Sequence, residues 1–415
     1  MGPIKDEPWE KALRVLLQLD SPHKKLDYYL KNLDENDGTY AICRGYVLDV
    51  VKHRALLEFW LKKLTSHLPK PYLKNFLYLV IGQLWQKFLN NVLDERKFSL
   101  LVNGWVERCK RRFSLPECRF VNAILRRVFR LFEQADQLPL AIRYSTPDFL
   151  IQRYQAYYGD EALLSYLRWN EGFSTIYVRS DVNLPGLEKT QWPTFYRWVD
   201  NACWPKIIQL VKQGKAYIQD PMTRIPVNLL QVEPGQNVLD LCAAPGGKTV
   251  QIAQKLKGCG NVVAVDLPEH MQRLTNNVSV LKNVHLLGKD VMRLSSNDVV
   301  SFVGQTLFDR VLIDVPCSNT GVVRRKPDVW TRLRAKDFEI LPEQQLQLLS
   351  KASEFVKKDG LLMYSTCSID PEENEGVVKK FLMSHATFSL LETQISLPWR
   401  HQHDGGGAFC LKRIN

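Results

Sequence analysis

The hydrophobic pattern changes its period along the chain. Up to about residue 139, apolar positions recur near every 3.6 residues, predicting helices over 11–19, 40–64, 72–89, 99–113 and 117–132. Pro69, Pro71 and Pro116 punctuate them. The last of these helices has an apolar stripe of Phe120, Ile124, Leu125, Val128 and Leu131, with Arg119, Arg126, Arg127 and Arg130 mainly on its other side. From 140 to 227 the pattern is mixed. Residues 145–150 read as an N-capped helix start with Pro147 in the first turn, and 157–167 as a second helix. Residues 175–179, 195–199 and 216–219 read as short strands, giving a small α+β module.

From 228 onward, strand and helix patterns alternate. The expected strands are 238–241, 261–265, 284–287, 310–313 and 361–364; helices, among them 270–281, 342–357 and 372–385, fill the gaps. This predicts a doubly wound, mostly parallel sheet with its ligand at the strand C-termini. Segments 387–391 and 407–412 would add a strand pair at one edge. The expected architecture is multidomain: all-α over 1–139, α+β over 140–227, and an α/β Rossmann-like core over 228–415.

The stretch 238–249, V-L-D-L-C-A-A-P-G-G-K-T, is the first unit of that core: a buried strand, a glycine turn and a helix start. Glycines let a backbone approach a ligand closely, and a helix N-terminus offers free N–H groups to a negative group. Cys242 stands where a Walker A loop needs its first glycine, and Gly-x-Gly-x-x-Gly is absent, so neither a phosphate-cradling loop nor a dinucleotide fingerprint is present. A glycine turn by itself is equally compatible with a purely structural role.

Asp266, Asp290 and Asp314 fall at or just past successive strand ends. A carboxylate at position 266 can accept both ribose hydroxyls of an adenosyl group, and Asp290 suits an adenine-edge contact; helix capping is the structural alternative. Two further strands end in cysteine-bearing polar loops: V-L-I-D-V-P-C-S-N-T-G over 311–321, with Cys317, and L-L-M-Y-S-T-C-S over 361–368, with Cys367. A lone cysteine is ordinarily a buried core residue. Two that neighbouring strands would bring together at one edge of the sheet, facing an acid and a glycine loop, argue for thiolate chemistry.

Composition narrows the setting. The 415 residues are 45% hydrophobic and 24% charged, as in a soluble globular protein, and no run of about 18 apolar residues predicts a membrane span. The start, M-G-P-I-K-D-E-P-W-E, lacks a secretory signal's apolar segment, and Asp6 stands where a myristoylation signal has Ser or Thr, so a cytoplasmic location is expected. Nine scattered cysteines without a C-x-x-C pair predict neither a disulfide framework nor a zinc ribbon, and no metal is expected. Net charge is +12; residues 1–139 carry 24 Lys and Arg against 16 Asp and Glu, so two thirds of the excess lies in the first third of the chain. That suits a polyanionic partner, whether RNA, DNA or an acidic membrane; for the arginines of 117–132 alone, a solvated face is the ordinary reading.

The stretch 238–249 resembles the S-adenosylmethionine loop of the RNA cytosine-5 methyltransferases, and the two cysteine loops resemble that family's signature motifs. The similarity runs from about Gln219 to the C-terminus. With G-V-V-R-R-K-P-D over 321–328 and P-E-E-N-E over 371–375, it is close to the bacterial RsmB/Sun/Fmu type of 16S rRNA enzyme. R-F-V-N-A-I-L-R-R-V over 119–128 resembles the closing helix of the NusB-like domain that precedes some of these enzymes; I-G-Q-L-W-Q over 81–86 and Y-V-R-S-D-V-N over 177–183 depart from the usual pattern.

The resemblance implies a cofactor, S-adenosyl-L-methionine, held by Cys242, Ala243, Ala244, Pro245, Gly246, Gly247 and Lys248 with Asp266, Asp290 and Asp314. It implies that Cys367 adds to carbon 6 of cytosine, that Asp314 hydrogen-bonds the base, and that Cys317 assists product release. RNA, expected to be 16S rRNA, would be met by Arg119, Arg126, Arg127, Arg130, Arg324, Arg325 and Lys326, with the protein acting as a monomer. A tRNA methyltransferase with the same core and a catalytically idle RNA-binding or assembly factor are the rival readings; the intact cysteines, Asp314 and glycine loop weigh against the second.

Overall fold

The computed structural model describes residues 7–20, 26–30, 33, 39–182 and 185–415. Asp6 and Asn183, which the sequence reading singled out, lie outside them. The chain divides into two compact units, 1–172 with 326–332, and 173–325 with 333–415.

The first unit is helical: Pro8–Leu19, Tyr40–Lys52, Arg54–Leu64, Pro71–Leu89, Glu95–Cys109, Leu115–Glu133 and Asp148–Glu171 are its long elements. Aromatic rings fill its centre, with Trp60, Trp85 and Phe132 mutually in contact. The single helix expected over 40–64 breaks at His53, whose φ/ψ of −109°/19° is not helical. His53 is buried and its Nε2 meets Gln86 Nε2 at 2.6 Å, so the break turns a polar ring inward while both flanking helices keep apolar faces buried. The two helices expected within 145–167 form one element kinked at Gly159, where φ is +79°. The helix expected from 99 starts at Glu95, because the Asp94 side chain caps it by accepting the Lys97 N–H at 2.8 Å.

The second unit holds two sheets. The smaller contains β1 (Tyr177–Ser180), β2 (Leu187–Lys189), β3 (Phe195–Trp198) and β4 (Ala216–Ile218), antiparallel in the order β2-β3-β1-β4. Strand β2 and the helix Trp204–Lys212 were not expected from the pattern; β2 is only three residues long with one of them buried, too short for alternation to register.

The larger sheet contains β5 (Asn237–Leu241), β6 (Asn261–Asp266), β7 (Val284–Gly288), β8 (Phe308–Asp314), β9 (Val356–Thr366), β10 (Phe388–Ser396) and β11 (Gly406–Arg413), in the order β10-β11-β9-β8-β5-β6-β7. Strands β5 to β9 are parallel, and β11 and β10 extend the sheet antiparallel beside β9, as the edge pair was expected to do. The core strands are buried on both faces, with Leu239, Val263, Val311 and Leu362 fully so, because helices cover each side. Several boundaries differ, the helix expected over 342–357 most of all: it runs Asp337–Ser353, and Val356 and Lys357 already belong to β9. Pro342, the first residue of the expected span, lies inside that helix. The strand order reverses between β5 and β8, which opens a crevice at their C-terminal ends.

Candidate active site

The crevice is lined by the loops that leave β5, β6, β7, β8 and β9. After β5 the chain turns sharply. Cys242 has φ +57°, the Ala244–Pro245 peptide is cis, and Gly246 has φ +101°. The positive φ at Gly246 demands glycine, and a Cβ there would also press on Leu274 Cδ1, 2.9 Å away. The helix Gly247–Lys255 follows, its N-terminus pointing its free N–H groups into the turn. Asp240 on β5 fastens it, accepting from Thr249 Oγ1 at 2.6 Å. The other oxygen of Asp240 is buried with no partner, and burial pushes this carboxyl up to about 7. Burial, then the charges of Asp266 and Asp314, push the Cys242 thiol far above its usual range, so it stays a neutral part of the loop wall.

Asp266 closes β6. Its carboxylate accepts from the Ala244 N–H at 2.8 Å and the Leu267 N–H at 2.7 Å, and meets His270 Nδ1 at 2.7 Å. It therefore ties the glycine loop to the second strand while sitting at the crevice wall. Asp290, past β7, accepts the Met292 N–H at 2.9 Å. The capping alternative is thus realised at Asp290, whereas Asp266 ties loop to strand; Asp266 Oδ1 already takes two donors, and its Oδ2, with one, retains acceptor capacity for a ligand.

Asp314, the last residue of β8, takes Lys248 Nζ at 2.6 Å on one oxygen and Ser365 Oγ at 2.6 Å on the other. Burial draws the Lys248 ammonium down, but the charge and hydrogen bond of Asp314 outweigh it and the net shift is upward. Lys248 therefore stays charged beside Asp314. The two cysteine loops meet one step further out. Cys317 Sγ lies 3.0 Å from Cys367 Sγ, and both are free thiols. Strands β8 and β9 are interior neighbours in register Asp314–Ser365, so the meeting point is the C-terminal end of the sheet's middle. The hydrogen bond to Cys367, burial and the Cys367 charge push Cys317 well above the usual thiol range. The raised Cys317 therefore stays a neutral thiol in contact with Cys367. Asn319, in a left-handed turn at φ +66°, accepts from Cys367 Sγ at 3.2 Å and donates to the Cys317 carbonyl at 2.7 Å.

Beneath the thiols lies a buried polar cluster that sequence reasoning missed. Ser318, Gln345, Ser368 and Glu373 have at most 2% of their surface exposed. Glu373 accepts from the Ser318 N–H at 2.9 Å, Gln345 Nε2 at 2.7 Å, Ser368 Oγ at 2.6 Å and Ser318 Oγ. Beside it, Asp370 accepts from Thr320 Oγ1 at 2.7 Å. Gly321 closes the arrangement: its N–H donates to the Cys367 carbonyl at 2.9 Å, and a Cβ there would lie 2.8 Å from that same oxygen. The signal available was the crowding of Ser, Thr, Glu and Asn immediately after an apolar strand, in S-T-C-S and P-E-E-N.

The basic candidates separate into groups. Arg119, Arg126, Arg127 and Arg130 are all exposed on Leu115–Glu133, with Arg126 bonded to Asn122 and Asn103. Arg325 is ion-paired to Asp404. Burial opposes its charge, but Asp404 and Asp220 more than offset this and hold it protonated. Arg324 is half-buried and burial draws its guanidinium down despite Tyr177, Asp404 and Asp220 nearby. Lys326 groups with the first unit. The run 324–326 is therefore not one continuous solvated patch. Among the described residues no helix is long and apolar enough to cross a membrane.

Comparison with known proteins agrees with this geometry. The family model described as "16S rRNA methyltransferase RsmB/F" matches residues 227–408, and the NusB family model matches residues 7–130. The chain is 29% identical over 433 residues to the protein named ribosomal RNA small subunit methyltransferase B of Yersinia enterocolitica, with 97% of each covered. It is 28% identical over 396 residues to the protein of the same name from Escherichia fergusonii, covering 89% of this chain and 90% of that one. The crystal structure of PH0851 shares the fold, with a TM-score of 0.73 at 24% identity, covering 99% of this chain and all of that one. With a NusB-type helical domain in front of a Rossmann-like core whose crevice carries the glycine loop and paired cysteines, the chain belongs to the RsmB/F family of S-adenosylmethionine-dependent RNA methyltransferases.

Proposed function

We propose that this protein transfers a methyl group to carbon 5 of a cytosine in small-subunit (16S) rRNA through a covalent bond between Cys367 and carbon 6 of the base. The observation that carries this reading is the 3.0 Å pair of thiols one step beyond the Lys248–Asp314 ion pair. Segments 1–139 and 140–227 would position RNA, and 228–415 would perform the transfer.

S-adenosylmethionine fits the crevice on the protein's own terms. The buried, partnerless oxygen of Asp240 and the free N–H groups at the start of Gly247–Lys255 are polar groups that the chain's own packing leaves unmet beside the glycine turn. Residues 242–248 would cradle it, Asp266 would take the ribose hydroxyls, and Asp290 would meet the adenine edge. The cofactor supplies an electrophilic methyl group.

The chain's residues supply the rest. Carbon 5 of cytosine is a poor nucleophile, and addition of the Cys367 thiolate at carbon 6 makes it enamine-like. The thiolate forms beside two cations, Lys248 and Arg325, both of which interact electrostatically with Cys367. Asp314, held by Lys248 and Ser365, would accept a hydrogen bond from the exocyclic amine and steady the adduct. Once carbon 5 has taken the methyl group, its hydrogen leaves as a proton to solvent, and that bond's electron pair becomes the carbon 5–carbon 6 double bond. The Cys367–carbon 6 bond then breaks, its electron pair returning to sulfur, and Cys317 lies within contact distance to assist that release.

Total RNA from a strain lacking this protein should lose one or more bisulfite-resistant cytosines in 16S rRNA, and the purified protein should restore them with labelled S-adenosylmethionine. Label entering only tRNA would move the substrate to tRNA. RNA binding without any transfer would identify an assembly factor.

Asp266→Ala should weaken cofactor binding while the fold persists. Losing charge-assisted hydrogen bonds to the ribose should cost about 1.5–3 kcal/mol, roughly ten- to hundredfold in affinity. Titration calorimetry checks this, and an unchanged affinity would remove Asp266 from the cofactor's contacts.

A further inference from the structure

We infer that Glu373 is a positioning residue: it clamps the two cysteine loops together and so sets the separation of the Cys317 and Cys367 thiols. This deepens the covalent mechanism proposed above and rests on it for its catalytic consequence, although the clamp itself is a statement about geometry.

Glu373 touches neither sulfur. It sits on the far side of both loops and binds each one immediately next to its cysteine. Ser318, which follows Cys317, gives it both a backbone N–H and a hydroxyl; Ser368, which follows Cys367, gives it a hydroxyl. Gln345, from the helix Asp337–Ser353, fills the remaining site and also donates to the Pro316 carbonyl at 3.0 Å, directly before Cys317. A carboxylate has about four acceptor sites, and here all four are taken by donors. No neutral side chain of this length offers four acceptors.

The acid is expensive to keep. It is fully buried, no cation bonds to it among the described residues, and a second buried carboxylate, Asp370, is a neighbour. Burial and Asp370 push Glu373 upward, while the hydrogen bonds from Ser318 and Ser368 pull it back. A buried charge satisfied only by hydrogen bonds is poor value for stability compared with apolar packing. Its position explains it better: with four donors it is the hub of a set of bonds joining the residues that carry the thiols outward, to which Thr320 Oγ1 adds weaker contacts of 3.2 Å to Ser318 and 3.1 Å to Ser368. Loops joined only by apolar contact could slide, and a misplacement near 1 Å can cost about 10²-fold in rate.

Glu373→Gln tests this, because it places an NH₂ donor against donors already present. Two readouts are needed. The first is catalytic: kcat should fall about 10²-fold while KM for S-adenosylmethionine stays within about twofold, since the glycine loop is untouched. The second is independent of methyl transfer. With oxidised glutathione, the two thiols become one disulfide while glutathione disulfide is reduced to two thiols, which keep the two protons. A disulfide bond is about 2.05 Å long, close to the resting 3.0 Å separation. Peptide mapping should find the Cys317–Cys367 bridge forming readily in the native protein and at least about tenfold more slowly in the variant.

Ser318→Ala, which keeps the charge and the backbone bond but removes one hydroxyl, should show the same two effects more weakly, and it carries the test if Glu373→Gln does not fold. Bridging at the native rate in folded variants would overturn the clamp, as would a kcat loss explained by the unfolded fraction alone. If bridging slows but native enzyme forms no cytosine adduct, the clamp stands and the covalent reading fails.

Discussion

Cys317→Ala enzyme incubated with substrate RNA and S-adenosylmethionine should migrate as a slow band on a denaturing gel, and Cys367→Ala enzyme should not. The two sulfurs are 3.0 Å apart, yet their surroundings give them different work. The Cys317 thiol is pushed well above its usual range, chiefly by its hydrogen bond to Cys367 and by burial, so it is a poor nucleophile. Cys367 donates its S–H to the Asn319 side-chain oxygen, and the charges of Lys248 and Arg325 favour its thiolate once the proton has left to solvent. Addition to carbon 6 must precede methyl transfer, so losing Cys367 should abolish both product and adduct. Losing Cys317 should spare methylation of the base and stall the elimination that follows, so the RNA stays attached to protein. If both cysteines merely filled space, both alanines would lower stability in similar ways and neither would trap RNA. A band with Cys367→Ala alone would exchange the two roles, and no band with either would leave covalent catalysis without support.

The residues that could be read in advance were those whose chemistry depends on where a strand ends. Asp266, Asp314, Cys317 and Cys367 each follow an apolar run, and the parallel register of β8 with β9 does the rest. The helix boundaries were less legible, for identifiable reasons. His53 looks like an ordinary polar position within a 25-residue periodic stretch spanning 40–64, and only its bond to Gln86, 33 residues away, reveals the break. The helix expected from 99 starts four residues earlier, at Glu95, because the Asp94 side chain caps it, and the apolar period alone does not show a cap. The box formed by Ser114 and Glu117 marks the start of Leu115–Glu133 two residues before the expected one. The Glu373 cluster could not be assembled from sequence, because Ser318, Gln345 and Glu373 come from three separate elements. Arg325 was read as a free cation for RNA. Its ion pair with Asp404, 79 residues later, is a contact that no local pattern announces.

Replacing Arg119, Arg126, Arg127 and Arg130 together by Ala should weaken RNA binding steeply and leave S-adenosylmethionine binding unchanged. All four are exposed on one helix, Leu115–Glu133, whose opposite stripe of Val121, Ile124, Leu125 and Val128 is buried, so their removal leaves the core intact. The net charge of 1–139 is +8, and these four residues are half of it. If each meets a phosphate, each releases a counterion, and the slope of log affinity against log salt should become shallower by about 3. At 0.1 M salt that corresponds to a loss of up to about 10³-fold. The competing explanation is a solvated face that keeps the protein soluble and touches nothing. It predicts a small uniform loss from reduced net charge, with nearly the same salt slope. Binding isotherms at four or five salt concentrations separate the two. A shallower slope would assign this helix to the RNA interface; an unchanged slope, with the protein folded and cofactor affinity intact, would place the interface elsewhere in the chain.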